Sequence, residues 1–176
     1  MIAETNTFTI DGINARPVRV EVDVARGLPA FQIVGLPDEA CRESRDRVRA
    51  AVLSSEIPWP SSKRITVNLS PADLPKEGSH FDLPIAVALL AALDIIPHED
   101  VEATVALGEL SLDGRLVPVA GALPAAMAAA EEERILLCPK ACGPEAAWVG
   151  ATTVIGAATL SDVLRHYTGQ APIAPS

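Results

Sequence analysis

The segment 67–86 brings residues that could do hydrolytic chemistry to the point where a predicted strand leads into a helix. It contains Ser79 and His80, with Lys76 and Asp82 nearby. A serine hydroxyl becomes a nucleophile when an amine or imidazole takes its proton. Free backbone N–H groups at a helix start can hold an anion. The segment therefore has the composition of a catalytic element, with Ser79 and either Lys76 or His80 as the reacting pair.

The same residues also have structural interpretations, which we favour. Ser79 suits a loop or a helix cap, and His80 suits a partly exposed helix start. Asp82 is expected to accept backbone N–H groups or to pair with a nearby cation. Asp73 is typical of a turn, where aspartate side chains bond their own backbone, and Lys76 is expected to lie in solvent or to bind a phosphate. We expect four residues to shape this loop: Asn68, Asp73, Gly78 and Asp82.

Composition limits the class of protein. Hydrophobic residues make up 49% of the 176 residues, enough for one sizeable core, but aromatic residues are only 3%, so Ala, Val, Leu and Ile must build it. The net charge of −9 repels nucleic acid, so any DNA contact must use a local basic patch. No apolar run is long enough for a membrane span. Three cysteines without zinc-like spacing indicate free thiols and a cytoplasmic location, with no metal site.

Hydrophobic patterning predicts an α+β fold with helices packed on a mixed sheet. Strands are expected at 7–10, 18–24, 30–34, 65–69, 135–138 and 153–155, with turns at Gly12 and 27–29. Helices are expected at 38–55, 81–93, 123–132, 144–149 and 161–167, and a hairpin at 105–119. The buried stripe of the first helix should comprise Cys41, Ser44, Val48, Ala51 and Val52.

Three arginines, Arg42, Arg45 and Arg49, fall on one face of the first helix. Arg47 points elsewhere. One interpretation is a solvated face on which Glu43 and Asp46 pair with these arginines. The other is a contact with nucleic acid or with a neighbouring subunit, because guanidinium groups bind phosphate and carboxylate alike. The candidate contact residues are Arg42, Arg45, Arg49, Lys63, Arg64 and Lys76.

Several longer segments together resemble one family. They are 27–38 (GLPAFQIVGLPD), 42–51 (RESRDRVRAA), 68–84, 108–116 (GELSLDGRL) and 121–126. Over residues 1–168, in order, the chain resembles the N-terminal domain of the magnesium-chelatase-like AAA+ ATPases known as ComM or YifB. Several long motifs in series are far more specific than a single short pattern.

The resemblance implies a fold and the state of the site. This type of domain is similar to the proteolytic domain of Lon protease, with the ribosomal protein S5 domain 2-like fold. Lon uses a serine at the loop–helix junction and a lysine on the helix after the hairpin. Here His80 takes the serine's place, Ser79 lies one residue early, and 121–133 contains no lysine or arginine. The resemblance therefore implies a degenerate site without catalytic residues, with a divergent Ser-dependent peptidase as the alternative.

The resemblance also implies a role beside an ATPase. Family members form hexameric rings that act on DNA, with branch migration in natural transformation as their role. This chain contains no G-x-x-x-x-G-K-[ST] motif, so we expect no cofactor in it, and ATP with magnesium in the AAA+ module. Residues 1–168 should form the domain, and 169–176 a linker toward that module. The expected partners are that module, neighbouring subunits and DNA, with no membrane; a pure oligomerisation scaffold is a further alternative.

Overall fold

The computed structural model describes residues 1–11 and 13–176, so the turn predicted at Gly12 lies outside the described residues. The strands are β1 (Ile2–Asp11), β2 (Asn14–Ala25), β3 (Ala30–Val34), β4 (Arg64–Ser70), β5 (Thr104–Ala106), β6 (Glu109–Leu110), β7 (Leu116–Val117), β8 (Ile135–Pro139) and β9 (Val154–Ala157). The helices are α1 (Asp38–Ser54), α2 (Asp82–Ala92), α3 (His98–Glu102), α4 (Ala122–Glu131), α5 (Gly143–Ala147) and α6 (Leu160–Tyr167).

Seven of the described strands form one mixed sheet in the order β3-β4-β2-β1-β5-β8-β9. β2 runs antiparallel to both β1 and β4, whereas the other four neighbouring pairs are parallel. β6 and β7 form a separate two-stranded ribbon. The prediction of helices on a mixed sheet is confirmed.

The sheet is covered unevenly. Residues of α1, α2, α3 and α6 share one buried core on one side of it. Residues of α4 and α5 form a second core with Phe8, Val105, Leu136 and Val154. Because successive strand residues point to opposite faces, this second core lies on the other side, over the β1-β5-β8-β9 part of the sheet. β3 and β4 therefore keep one face toward solvent, whereas Ala15 at the start of β2 packs against the second core.

The two helices that flank the candidate site follow their predicted patterns. All eleven residues of α2 are buried, as expected for a helix that is apolar on almost every side. α1 buries the five residues predicted for its stripe: Cys41, Ser44, Val48, Ala51 and Val52. α1 runs directly beside α2, so polar groups on their facing sides can meet.

Several sequence-based boundaries were wrong. The hairpin predicted at 105–119 is shorter, because Thr104–Ala106 joins the main sheet between β1 and β8, and only β6 and β7 pair as a hairpin. β1 and β2 each extend well beyond the predicted strands. Asn68, expected to shape the loop, lies inside β4, where it is exposed. The predicted strands end where the alternation of apolar and polar residues ends. The strands themselves continue past that point, because polar residues can also take part in the ladder of backbone hydrogen bonds.

The end of the chain packs against the domain. Thr159 caps α6 by accepting a hydrogen bond from the Asp162 N–H at 3.0 Å. The Asp162 carboxylate accepts a hydrogen bond from Arg165 at 2.6 Å. Farther along, the Ile173 N–H donates to Nδ1 of His166 at 2.9 Å, and the Ser176 N–H donates to the Val154 carbonyl at 2.8 Å. Within the described residues, no helix is long and apolar enough to cross a membrane.

Candidate functional site

The loop between β4 and α2 buries the lysine expected to face solvent. Lys76 is only 3% exposed. Its ammonium donates to the carbonyl oxygens of Pro71 and Leu74, which lie in the preceding turn. Burial lowers the pKa of Lys76, and the charge of nearby Asp73, exposed in the same turn, opposes that shift. The expectation of a solvent-facing or phosphate-binding Lys76 was therefore wrong, because the ammonium closes the loop from inside.

Ser79 has a carboxylate partner. Its hydroxyl donates to the Glu109 carboxylate at the start of β6. The two side chains border a cleft of about 460 Å³. The residues around the cleft are Ile10, Glu77, Gly78, Ser79, His80, Glu109, Pro118, Val119 and Ala120. A carboxylate is a much weaker base than the amine or imidazole that activates serine in hydrolases.

His80 is buried beneath this cleft, and not partly exposed as expected. Its side chain is 7% exposed, and Nε2 lies 2.7 Å from the Phe8 carbonyl oxygen. Because a carbonyl only accepts, Nε2 carries the hydrogen, and Nδ1 is left as an acceptor. Burial lowers the pKa of His80, and the bond to Phe8 opposes that shift, so burial favours the neutral ring. Gly78, at φ +100°, leaves room for it, since a Cβ there would lie 3.0 Å from Nδ1.

Asp82 is fully buried and holds three segments together. Its carboxylate accepts from Ser44 Oγ at 2.7 Å and from Arg47 Nε at 2.6 Å, both on α1. It also accepts from the Leu110 N–H on β6 at 3.0 Å. Burial raises the pKa of Asp82, and these donors oppose that rise. The predicted structural role of Asp82, with backbone N–H and cation partners, is confirmed.

Among the hydrogen bonds found in the described residues, Ser79 is joined to Glu109 and not to a lysine or a histidine. Lys76 is occupied by carbonyl oxygens, and the acceptor nitrogen of His80, Nδ1, has no bond to Ser79. The helix after the hairpin, α4, on which the resemblance predicts the lysine of Lon-type sites, has the sequence ALPAAMAAAE without a basic residue. The junction instead has a mechanical role: it fastens α1, α2 and β6 to one another through Asp82.

The three arginines of the predicted stripe lie on α1 beside edge strand β3; Arg42 and Arg49 are exposed, and Arg45 is half-buried. Among the ion pairs found in the described residues, none involves them, and Glu43 instead lies 3.8 Å from Arg47. The interpretation in which Glu43 neutralises the stripe is therefore not supported. The guanidinium of Arg49 lies 5.2 Å from the centre of the Trp59 ring, a cation–π distance.

The other three basic candidates, Lys63, Arg64 and Lys76, lie in different places. Lys63 is half-buried and borders the same surface as Arg49 and Trp59. Arg64 is exposed at the start of β4, where its Nη2 lies 3.4 Å from Gln32 Oε1. Only Lys76 is separated from this surface. The structure therefore brings Arg49 and Lys63 to the border of one depression, while Arg42 and Arg45 share the helix of Arg49 and Arg64 lies on the neighbouring strand β4.

Sequence reasoning missed Arg47, Glu109 and Trp59. Arg47 was set aside because it lies off the stripe, yet it makes the buried ion pair with Asp82. Its one available signal was its position three residues after buried Ser44, on the inner flank of α1. Glu109 and Trp59 gave no signal, because their partners are distant in sequence.

Comparison with known proteins gives the family. The model of "Subunit ChlI of Mg-chelatase" matches residues 20–142, which is more than half of the chain. The chain belongs to the ChlI family. The matched residues of this chain run from β2 to the short 3-10 turn after β8. They therefore include α1, the loop between β4 and α2, α2 itself and α4.

Relatives agree with this assignment. The competence protein ComM of Haemophilus influenzae is 43% identical over 90% of this chain and 31% of its own length. YifB of Salmonella typhimurium, described as uncharacterized, is 46% identical over 77% of this chain and 27% of its own length. An uncharacterized protein of Mycobacterium tuberculosis is 46% identical over 94% of this chain and 33% of its own length. The ChlI-family chain thus spans about a third of the relatives it matches.

Proposed function

We propose that this chain is a non-catalytic, Lon-like accessory domain of a ComM/YifB-type AAA+ ATPase that assists ring assembly, DNA engagement or both. One observation carries the proposal. The groups that could have done chemistry near Ser79 are tied into the fold, whereas the arginines on α1 have no ion-pair partner among the described residues. Unpaired arginines beside an edge strand are suited to binding another molecule.

Under this proposal, nucleotide binding and hydrolysis belong to a separate part of the protein. ATP and magnesium would be bound by the AAA+ module, and this chain would supply the surface through which rings assemble or meet DNA. The longer relatives leave room for such a module, because this chain covers only about a third of ComM. Branch migration during natural transformation would then be an activity of the whole cytoplasmic assembly, with this domain in support.

A salt series tests the DNA part. The net charge of −9 predicts weak binding to duplex DNA. If the three stripe arginines contact phosphates, log K against log salt should have a slope of about −3, from roughly −0.9 for each contact. The variant Arg42→Ala/Arg45→Ala/Arg49→Ala should lose that binding in fluorescence anisotropy. The matched control Arg16→Ala/Arg115→Ala/Arg165→Ala removes three other exposed arginines and should retain it.

A second measurement tests the non-catalytic part. A fluorophosphonate probe should leave Ser79 unlabelled, because its hydroxyl donates to the Glu109 carboxylate, a weaker base than the amine or imidazole that activates serine in hydrolases. Stoichiometric labelling that disappears in Ser79→Ala would establish the peptidase alternative instead. Equal DNA binding by the stripe variant and its control would leave assembly as the remaining role of the stripe.

A further inference from the structure

Two exposed helix faces carry rows of side chains with matching spacing and opposite charge. On α1, Arg45, Arg49 and Leu53 succeed one another four residues apart, basic then apolar. On α4, Met127 and Glu131 repeat this spacing, apolar then acidic. Residues four apart are neighbours on a helix surface, about 5–6 Å from one another. The pair Arg49 and Leu53 and the pair Glu131 and Met127 therefore match in spacing when the helices run antiparallel.

The α1 row borders a shallow depression, the Trp59 groove, with a volume of about 360 Å³. Its residues are Pro29, Ala30, Arg49, Leu53, Trp59, Pro60, Ser61 and Lys63. Leu53 is 53% exposed. The Trp59 ring rests on Phe31 of edge strand β3, with ring centres 5.0 Å apart. The groove thus joins an apolar floor to unpaired cationic groups.

The α4 row, which we call the α4 ridge, has the complementary character. Leu123 and Met127 are 38% and 55% exposed. Glu131 and Glu133 are exposed at the end of the helix, and neither is in an ion pair among the described residues. α4 contains no basic residue. Methionine is flexible enough to fill an irregular apolar depression.

The groove and the ridge cannot meet within one molecule. α1 belongs to the core on one side of the sheet, and α4 to the core on the other side. A contact between two different surfaces of identical chains is head-to-tail, and it forms a ring when the rotation closes.

We propose that a second copy of this chain docks its α4 ridge into the Trp59 groove. Met127 of the docked copy lies against Leu53 and Trp59. Glu131 of that copy pairs with Arg49, and Glu133 approaches Arg45. The inference rests on the assembly part of the proposed function, and it gives that part a specific pair of surfaces.

Charge reversal tests the pairing. The groove variant Arg45→Glu/Arg49→Glu and the ridge variant Glu131→Lys/Glu133→Lys should each reduce self-association at least about tenfold, because like charges then face each other. Mixing the two variants should restore association, and so should all four substitutions in one chain. Sedimentation velocity over a concentration series at about 0.15 M salt is suitable, because a Debye length of about 8 Å screens distant repulsion more than contact pairs.

The control Arg115→Glu/Arg165→Glu makes the same charge change as the groove variant at exposed positions that line neither the groove nor the α4 ridge, and it should associate like the unmodified chain. If circular dichroism shows that a charge-reversal variant is unfolded, Met127→Glu provides a second test. It places a carboxylate opposite Leu53 and should also reduce self-association. A monomeric unmodified chain at every concentration would overturn the inference. Association that the groove and ridge variants leave intact would overturn it too, while preserving the assembly role through another surface. Loss of DNA binding alone in the groove variant would assign the stripe to DNA.

Discussion

At the scale of single residues, the ion pair between Arg47 and Asp82 is the centre of the loop–helix junction. The Asp82 carboxylate is fully buried, and Arg47 Nε lies 2.6 Å from it. Removing one partner from a buried pair leaves a charge without compensation. The same carboxylate bonds α1, α2 and β6, so the cost falls on all three elements at once.

Arg47→Ala should therefore lower the free energy of unfolding by about 3–5 kcal/mol, measured by urea denaturation. Arg42→Ala is the matched control, since it removes an exposed arginine from the same helix, and its effect should stay within about 0.5 kcal/mol. Equal losses in the two variants would contradict the role given to Arg47.

Two histidines make stability depend on pH. Burial lowers the pKa of both His80 and His166 in the folded chain. Unfolded histidines titrate near 6.5, so the unfolded state binds more protons as the pH falls through that value. The free energy of unfolding should then decrease between about pH 7.5 and pH 5.5. Urea denaturation at three pH values checks this, and His80→Gln/His166→Gln should flatten the dependence; a chain more stable at acidic pH would refute it.

At the scale of elements, Gly35 sets how closely α1 approaches the sheet. It connects β3 to α1 at φ +113°, and a Cβ there would lie 2.6 Å from the Leu69 carbonyl oxygen on β4. Backbone cannot move aside as a flexible side chain can. Gly35→Ala should thus lower the free energy of unfolding for two reasons. The dihedral angle is unfavourable for alanine, by about 1–2 kcal/mol, and α1 must shift away from β4.

Gly169→Ala provides the comparison, because Gly169 also has positive φ but has nothing within 4 Å of the added Cβ. It should show only the dihedral cost. The melting temperatures of the two variants give the difference, and a Gly35→Ala variant as stable as Gly169→Ala would show that α1 can shift freely.

The elements also show how far sequence alone could lead. The period of the apolar residues predicted α1 and α2 with their buried faces, because burial on one side leaves a regular pattern. The same reasoning failed for 104–106, since a three-residue strand is too short to show alternation. In the site, Asp82 was predicted because a carboxylate in an apolar helix must find partners. Arg47, Glu109 and the burial of Lys76 and His80 depend on long-range packing, which leaves no local pattern.

At the scale of the whole molecule, the last residues contribute to the domain. Ile173 is half-buried against the main core; its N–H donates to the His166 imidazole, and the Ser176 N–H donates to the Val154 carbonyl. A linker over 169–176 that leads toward another module stays a prediction. The contacts made by these residues have a stability consequence of their own.

Deleting residues 170–176 should lower the free energy of unfolding by about 1–2 kcal/mol, because part of an isoleucine side chain loses its buried contacts. Ile173→Ala in the full chain should reproduce most of that loss, whereas Gln170→Ala, at an exposed position, should not. Denaturant unfolding of the three variants makes the comparison. A deletion without effect would mean that the tail rests on the domain without stabilising it.

The stacking of Arg49 on Trp59 gives this chain a built-in optical reporter. The sequence has two tryptophans; Trp59 is half-buried in the groove, whereas Trp148 is 85% exposed. In Trp148→Phe, all tryptophan emission comes from the ring beneath the Arg49 guanidinium. Any molecule that seats on the stripe changes the polarity and the cation contact of that ring. Emission from a single, unlabelled side chain can thus report occupancy of this surface in real time.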